Sequence, residues 1–294
     1  MLIGTSERDS SGQLYVKALR RGLSDLDWVE GRNIVIDTYW TNGEAQRTRQ
    51  LAIELVESQP DVIIAHAGVR VVLQQTRTIP IIFVLVPDPV GSRFVASLAQ
   101  PGGNVTGFTN FEFSMVSKWL GLLKEISPSV ARVGILYNPE MSPGLFYFRA
   151  LSAVASPLAI EPIGLPVREE EEIELTCLGL HRDSNAGLVV ISDSFTMTYR
   201  ELIIALAAKY RIPAVYPARE FVNRGGLISY GIDEDDLFRQ SAFYVDRILK
   251  GSKPGELPVQ APTKFELVIN LKTAKTLELN IPPLLLATAT ETIE

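Results

Sequence analysis

Two histidines, His66 and His181, and one cysteine, Cys177, bound the chemistry this chain can do. A single cysteine makes no intramolecular disulfide and no thiolate cluster with CxxC spacing. Its neighbours Leu175, Leu178 and Leu180 read as a helix with a buried thiol. No serine sits in a Gly-x-Ser-x-Gly elbow and the two histidines are far apart in sequence, so no nucleophile is legible beside a base. The glycines between Gly102 and Gly107 open into a strand, the wrong context for a dinucleotide loop, and no Gly-x-x-x-x-Gly-Lys-Ser/Thr motif occurs. The sequence predicts no catalytic residue, no metal site and no cofactor.

What remains is recognition chemistry, and it collects just after apolar runs that read as strands. In open α/β sheets ligands bind outside the carboxyl ends of the strands. Thr5 and Ser6 follow the first run, His66, Ala67 and Gly68 the third, and Asp88 the fourth; Asn138, then Asp193, Ser194 and Phe195, then Tyr216 hold the equivalent places later in the chain. Such a set suits a small zwitterion. The hydroxyls of Thr5 and Ser6, with amides at Ala67-Gly68 leading into a helix, can hold a carboxylate. Asp193 can pair with an ammonium group, and Phe111, Phe195, Tyr216 and Tyr230 can supply flat apolar walls. Each residue also has a structural reading. Ser6 and Asp193 are good helix caps, Asp88 before Pro89 suits a turn, and Phe195 and Tyr216 suit a core.

The elements that must position these residues alternate along the chain, strand then amphipathic segment, the pattern of βα units on parallel sheets. Expected strands are 2–4, 34–39, 62–65, 81–86 and 105–108, then 132–137, 158–163, 187–191, 214–216 and 227–229, five in each half. Helical spacing of Val116, Trp119, Leu120, Leu123 and Ile126 predicts a helix over 114–126 that Ser127-Pro128 stops, and a second spans 235–249 ahead of Gly251. The acidic runs 169–172 and 233–236 fall where helices begin and complement the macrodipole. A length of 294 residues predicts two domains. The formal charge of −6, with basic residues scattered, argues against a nucleic-acid surface. No apolar run reaches the roughly 18 to 20 residues of a membrane span.

The segment from Asp88 to Asn110, in which a strand empties into a polar loop, a short helix and another strand, resembles a signature of the ABC-transporter substrate-binding proteins. The resemblance continues in Lys118-Trp-Leu-Gly-Leu-Leu-Lys-Glu-Ile-Ser-Pro, Ala131-Arg-Val-Gly-Ile-Leu-Tyr-Asn-Pro, Arg219-Glu-Phe-Val-Asn-Arg-Gly-Gly-Leu-Ile-Ser-Tyr-Gly and Pro262-Thr-Lys-Phe-Glu-Leu-Val-Ile-Asn-Leu-Lys-Thr-Ala-Lys. Members often carry Gly-Gly-Thr where this chain has Ala65 to Gly68, so His66-Ala67 is a departure bearing on ligand choice.

The resemblance implies an α/β protein of two doubly wound parallel-sheet lobes, of the type I periplasmic-binding-protein kind, joined by a three-crossover hinge. It implies lobes of 1–109 with 231–258 and 110–230 with 259–294, and a ligand cleft between them lined also by Asn110, Phe111, Tyr230 and Gly231 at the crossovers. The expected function is that of a monomeric receptor, not an enzyme, which closes over a small organic ligand, an amino acid or an aromatic or organic acid, and delivers it to an ABC permease and its ATPase. Export to the periplasm is implied, yet Met1-Leu-Ile-Gly reads as a core strand and not a signal peptide, which suggests a mature form with an added Met or a misplaced start. A sensor domain of a regulatory system is the alternative on the same fold, and an α/β enzyme a more distant one.

Overall fold

The computed structural model describes residues 1–140, 144–183 and 185–294, with the side chain of Ser194 also outside the described set. The chain passes between two units three times, so unit 1 comprises 1–111 with 233–264, and unit 2 comprises 112–232 with 265–294. It begins in unit 1 with β1 (Leu2–Ile3), α1 (Ser10–Ser24), β2 (Tyr39–Trp40), α2 (Ala45–Glu57), β3 (Ile63–Ala65), α3 (Val69–Gln75), β4 (Ile81–Val84) and β5 (Val105–Phe108). Unit 2 follows with α4 (Phe113–Ile126), β6 (Arg132–Tyr137), α5 (Gly144–Ala155), β7 (Glu161–Pro166), α6 (Glu170–His181), β8 (Ala186–Val190), α7 (Ser194–Thr198), α8 (Arg200–Lys209), β9 (Ala214–Tyr216), α9 (Arg219–Asn223) and β10 (Ile228–Ile232). Helix α10 (Glu234–Leu249) returns to unit 1, and β11 (Phe265–Asn270), α11 (Leu271–Thr276), α12 (Pro283–Thr288) and β12 (Glu291–Ile293) complete unit 2.

Unit 1 is a five-stranded sheet of order β2-β1-β3-β4-β5, parallel throughout. Right-handed crossovers leave β1 toward β2 in one direction and β2 toward β3 in the other, which places α1 on one face and α2 and α3 on the other. The strand residues are buried on both faces: Leu2, Ile63, Ala65, Ile81 and Phe83 join one apolar cluster with Ala52 and Leu55 of α2 and Val69 and Val72 of α3. Residues Val259 and Gln260 stay with this unit because their amides donate to Leu98 and Gly107 carbonyls.

Helix α10 closes the other face against α1. Tyr15 stacks on Phe238 at 4.4 Å, Trp28 Nε1 donates to Asp246 at 2.9 Å, and Tyr15 Oη donates to Glu234. The helices cross where Gly22 has no side chain: a Cβ there would stand 2.4 Å from the Arg239 carbonyl oxygen and 2.9 Å from Ala242 Cβ. Backbone cannot rotate out of the way, so Gly22→Ala is expected to lower unfolding stability by about 1–3 kcal/mol despite the better helix propensity of Ala. Urea denaturation checks this, and a variant as stable as wild type would show that the two helices slide apart freely.

Unit 2 is a seven-stranded sheet of order β12-β11-β10-β9-β8-β6-β7. Strands β6 to β10 are mutually parallel, β11 runs antiparallel to β10, and β12 is parallel to β11. The five-strand expectation for this half is therefore corrected to seven. β11 and β12 lie beyond the last alternating βα unit, where an antiparallel return gives no helix-spaced cue. Strand 227–229 extends to Ile232 because β11 supplies partners for Tyr230, Gly231 and Ile232. Strand 158–163 moves to 161–166, since Pro157 opens a 3₁₀ turn over Ser156–Leu158 and Ala159 is left-handed at φ 50°. Strand 34–39 contracts to Tyr39–Trp40: the register Leu2↔Tyr39 leaves 34–37 beyond the two residues of β1, and Val35 is 80 % exposed.

The two acidic runs sit at helix starts as their composition predicts. Glu169 and Glu172 form a capping box on α6, and Asp233 accepts the Asp236 amide at the head of α10. Cys177 is buried in the unit 2 core, and desolvation pushes its thiol up to about 11, so it is an inert thiol at neutral pH.

Candidate ligand-binding site

In each sheet one crevice is singled out by topology, the place where successive crossovers leave in opposite directions. In unit 1 it opens outside the carboxyl ends of β1 and β3. Gly4 and Thr5 follow β1, and His66, Ala67 and Gly68 follow β3. The Gly4 amide donates to His66 Nδ1 at 3.3 Å, and a Cβ on Gly4 would be 3.2 Å from Ala67 Cβ, so these loops are in contact. Thr5 Oγ1 is buried and without a hydrogen-bond partner among the described residues, as is Asn110 Oδ1 after β5. Buried polar atoms are seldom left so.

Aromatic rings pack behind and beside the loops of this crevice. His66 meets Tyr15 edge-on at 5.3 Å and Phe238 edge-on at 5.8 Å. The position of Gly12, on α1, lies between Thr5 and Trp40: a Cβ there would be 2.3 Å from Thr5 Oγ1 and 2.8 Å from Trp40 Cζ3. Trp40, half-buried at the end of β2, is a site candidate that sequence reasoning passed over, although the same rule of inspecting residues at strand ends points to it. Tyr15 and Phe238 carried no local signal, because α10 reaches α1 only through the return of the chain. Burial pushes the His66 imidazole down to about 4, against a weaker upward pull from Asp9, so the ring is neutral at pH 7.

Other expected members of unit 1 are differently employed. The His66 and Ala67 amides both donate to the Leu2 carbonyl, at 3.0 and 3.4 Å, so of the amides expected free at Ala67-Gly68 that of Ala67 is engaged. Gly68 instead supplies a left-handed turn at φ 65°, where a Cβ would lie 2.6 Å from Thr48 Cγ2. Asp88 accepts the Gly91 amide at 2.8 Å and shapes its own turn. The Ser6 carbonyl accepts the Asp9 amide ahead of α1. Phe111 is half-buried, its amide donating to Thr109 Oγ1 at 3.1 Å.

The corresponding crevice of unit 2 lies outside β6 and β8, and here a carboxylate bridges it. Asp193, 8 % exposed, accepts the Asn138 amide at 3.0 Å with Oδ2 and the Thr196 amide at 2.8 Å with Oδ1, capping α7. Burial raises its pKa above the ordinary carboxylate value, and the bonds from Asn138, Thr196 and Phe195 only partly offset this. The bridging of two loops by its carboxylate favours the cap over the ammonium anchor. Asn138 is itself buried, its Oδ1 accepting the Glu140 amide at 2.9 Å. Of Ser194 only the backbone, at the first position of α7, is described.

The aromatic set of unit 2 divides. Tyr216 is 1 % exposed, stacked on Phe221 at 5.1 Å inside the core cluster, which corrects its assignment as an open wall. Phe195 packs partly buried on the same cluster, 4.7 Å from the Tyr199 ring. Tyr230 is half-buried and lies parallel to Phe265 at 5.6 Å, while its carbonyl accepts Trp119 Nε1–H at 2.6 Å. Tyr230 and Gly231 belong to β10 and are not a free crossover. Gly231 is demanded by packing, since a Cβ would stand 2.0 Å from the Pro217 carbonyl oxygen. Ser229 Oγ, one residue earlier, is buried without a partner among the described residues.

Two parallel-sheet units, each with its polar set at the carboxyl ends of the strands, define a type I periplasmic binding protein fold. Residues 7–293 match the family described as ABC transporter substrate binding protein, and the chain belongs to that family. It is 30 % identical to a conserved domain protein from Vibrio cholerae, with a TM-score of 0.89 over 99 % of this chain and 98 % of that one. It is 25 % identical to an ABC domain from Streptococcus pneumoniae solved in complex with L-Trp, also at 0.89 over 99 % and 98 % of the two chains. A tyrosine-binding protein of Clostridioides difficile is 26 % identical over 265 residues, 90 % of this chain and 76 % of that protein. Among the described residues no helix is long and apolar enough to cross a membrane.

Proposed function

We propose that this protein is the exported receptor of an ABC importer, that its ligand is an aromatic amino acid, and that it passes the ligand unchanged to a permease driven by its ATPase. The observation that carries this reading is the crevice of unit 1, where buried Thr5 Oγ1 lacks a partner among the described residues and half-buried Trp40 stands beside it across Gly12. Polar atoms left open beside rings suit a ligand that is polar at one end and flat at the other. Relatives spanning the chain bind tyrosine or tryptophan, in agreement with that chemistry.

The mechanism is a population shift. A ligand favours whichever conformational state binds it more tightly, and the energy of the shift is the difference in its affinity for the two states. Native mass spectrometry should recover an unmodified small molecule from the purified protein, and calorimetry should show saturable binding of L-tyrosine or L-tryptophan. Small-angle scattering at saturation should give a smaller radius of gyration than the ligand-free protein. Binding without compaction would remove the closure mechanism, and no binding of either amino acid would remove the ligand class.

A further inference from the structure

His66 stands at the switch point of unit 1 with one ring nitrogen used and the other open. Nδ1 accepts the Gly4 amide, which fixes the neutral tautomer with the proton on Nε2. The edge-on contacts with Tyr15 and Phe238 fix the plane of the ring. The hydrogen bond of the ring is the one at Nδ1, which leaves Nε2–H for a ligand, and Thr5 Oγ1, the residue after Gly4, is buried without a partner among the described residues. The His66 and Ala67 amides, the first two after β3, are engaged by the Leu2 carbonyl. We propose that His66, through its Nε2–H, is the residue that selects for a carboxylate on the ligand, with Thr5 Oγ1 as the second donor, and so sets which end of the molecule faces unit 1. This deepens the aromatic amino acid reading and rests on it.

The ring is neutral at pH 7, so Nε2 offers an uncharged N–H whose direction is fixed by the bond at Nδ1. The charges that reach it are few. Asp9, which caps α1, is the carboxylate felt by the ring, and Glu234 of α10 is engaged by Tyr15 Oη. A site built to hydrogen-bond an acceptor rejects an analogue lacking it more strongly than an apolar pocket rejects a missing methylene.

The test measures affinities of L-tyrosine, tyramine and 3-(4-hydroxyphenyl)propionate for wild type, His66→Phe and His66→Gln, with the ligand-free melting temperature of each. In wild type both carboxylate-bearing compounds should bind at least tenfold more tightly than tyramine. His66→Phe should lose at least tenfold for those two compounds and leave tyramine within about threefold. His66→Gln keeps an uncharged N–H donor of similar reach and should retain most of the carboxylate preference, and His66→Ala, which removes the donor without adding bulk, replaces the Phe variant if that one does not fold. Equal losses for all three compounds, or unchanged carboxylate affinity in both variants, would overturn the role of His66. Wild type that binds none of the three, nor L-tryptophan, overturns the ligand reading itself, a separate result.

Discussion

Asp193→Ala is expected to destabilise the ligand-free protein by about 3 kcal/mol, the sum of leaving two buried amides without acceptors at roughly 1–3 kcal/mol each, less what is recovered by no longer burying a carboxylate. The amides are those of Asn138, after β6, and Thr196, in the first turn of α7. They belong to different loops, so the side chain ties the switch-point crevice of unit 2 together as well as capping a short helix. Thr196 adds a reciprocal bond, its Oγ1 accepting the Asp193 amide at 3.1 Å, which Ala at 193 leaves in place. Asp193→Asn should fall between the two, since its amide oxygen can accept one N–H while its NH₂ faces the other.

The pH dependence has a definite sign. Burial raises the folded pKa of Asp193 above the unfolded carboxylate value near 3.9, so the folded state binds this proton more tightly. The group's contribution to stability is greatest below that unfolded value and declines as pH rises through the raised folded value. Alanine removes the slope, so the gap between wild type and variant should be wider at pH 4 than at pH 7.5. Urea melts at both values decide it. A loss under 1 kcal/mol at both, with affinity reduced instead, would return Asp193 to the role of ligand anchor.

The parallel-sheet frame was legible because its signal is local. Runs such as Ile81 to Val84 and Ala186 to Val190 are buried on both faces and read as continuous apolar strands. What local pattern could not supply was register. The alternation in 34–39 is a good strand pattern, yet only Tyr39 and Trp40 pair with β1, and the rest of the run alternates between half-buried and exposed residues. Tyr216 shows the same limit at the site: a ring at the end of a strand can turn outward or inward, and Phe221 from α9 stacks on it and holds it in. His66 and Thr5 were singled out by the rule that ligands lie beyond strand ends and Asn110 by its place at a crossover, whereas Tyr15 and Phe238 meet across more than two hundred residues of sequence. The spent amides of His66 and Ala67 were invisible for the same reason, since their acceptor, Leu2, lies on a neighbouring strand.

Gly12→Ala should separate recognition from stability in unit 1. Gly12 is the third residue of α1, its amide held by the Asp9 cap at 2.9 Å, and at a helical position Ala is favoured over Gly by about 0.8–1 kcal/mol. The added Cβ would nevertheless stand 2.3 Å from Thr5 Oγ1 and 2.8 Å from Trp40 Cζ3. Both atoms are ends of side chains that can turn, in contrast to the Arg239 carbonyl that faces Gly22. The clash is therefore relieved by moving Thr5 and Trp40, the open hydroxyl and the ring at the strand ends, and not by parting two helices. The expected result is a stability within about 1 kcal/mol of wild type together with a loss of affinity for aromatic amino acids of at least tenfold, about 1.4 kcal/mol. Calorimetric titration beside a urea melt reads both quantities on one preparation. If affinity stays at the wild-type value, the ligand touches neither Thr5 nor Trp40. If stability falls as far as in Gly22→Ala, the two side chains are packed as core and the crevice is closed to a ligand at this point.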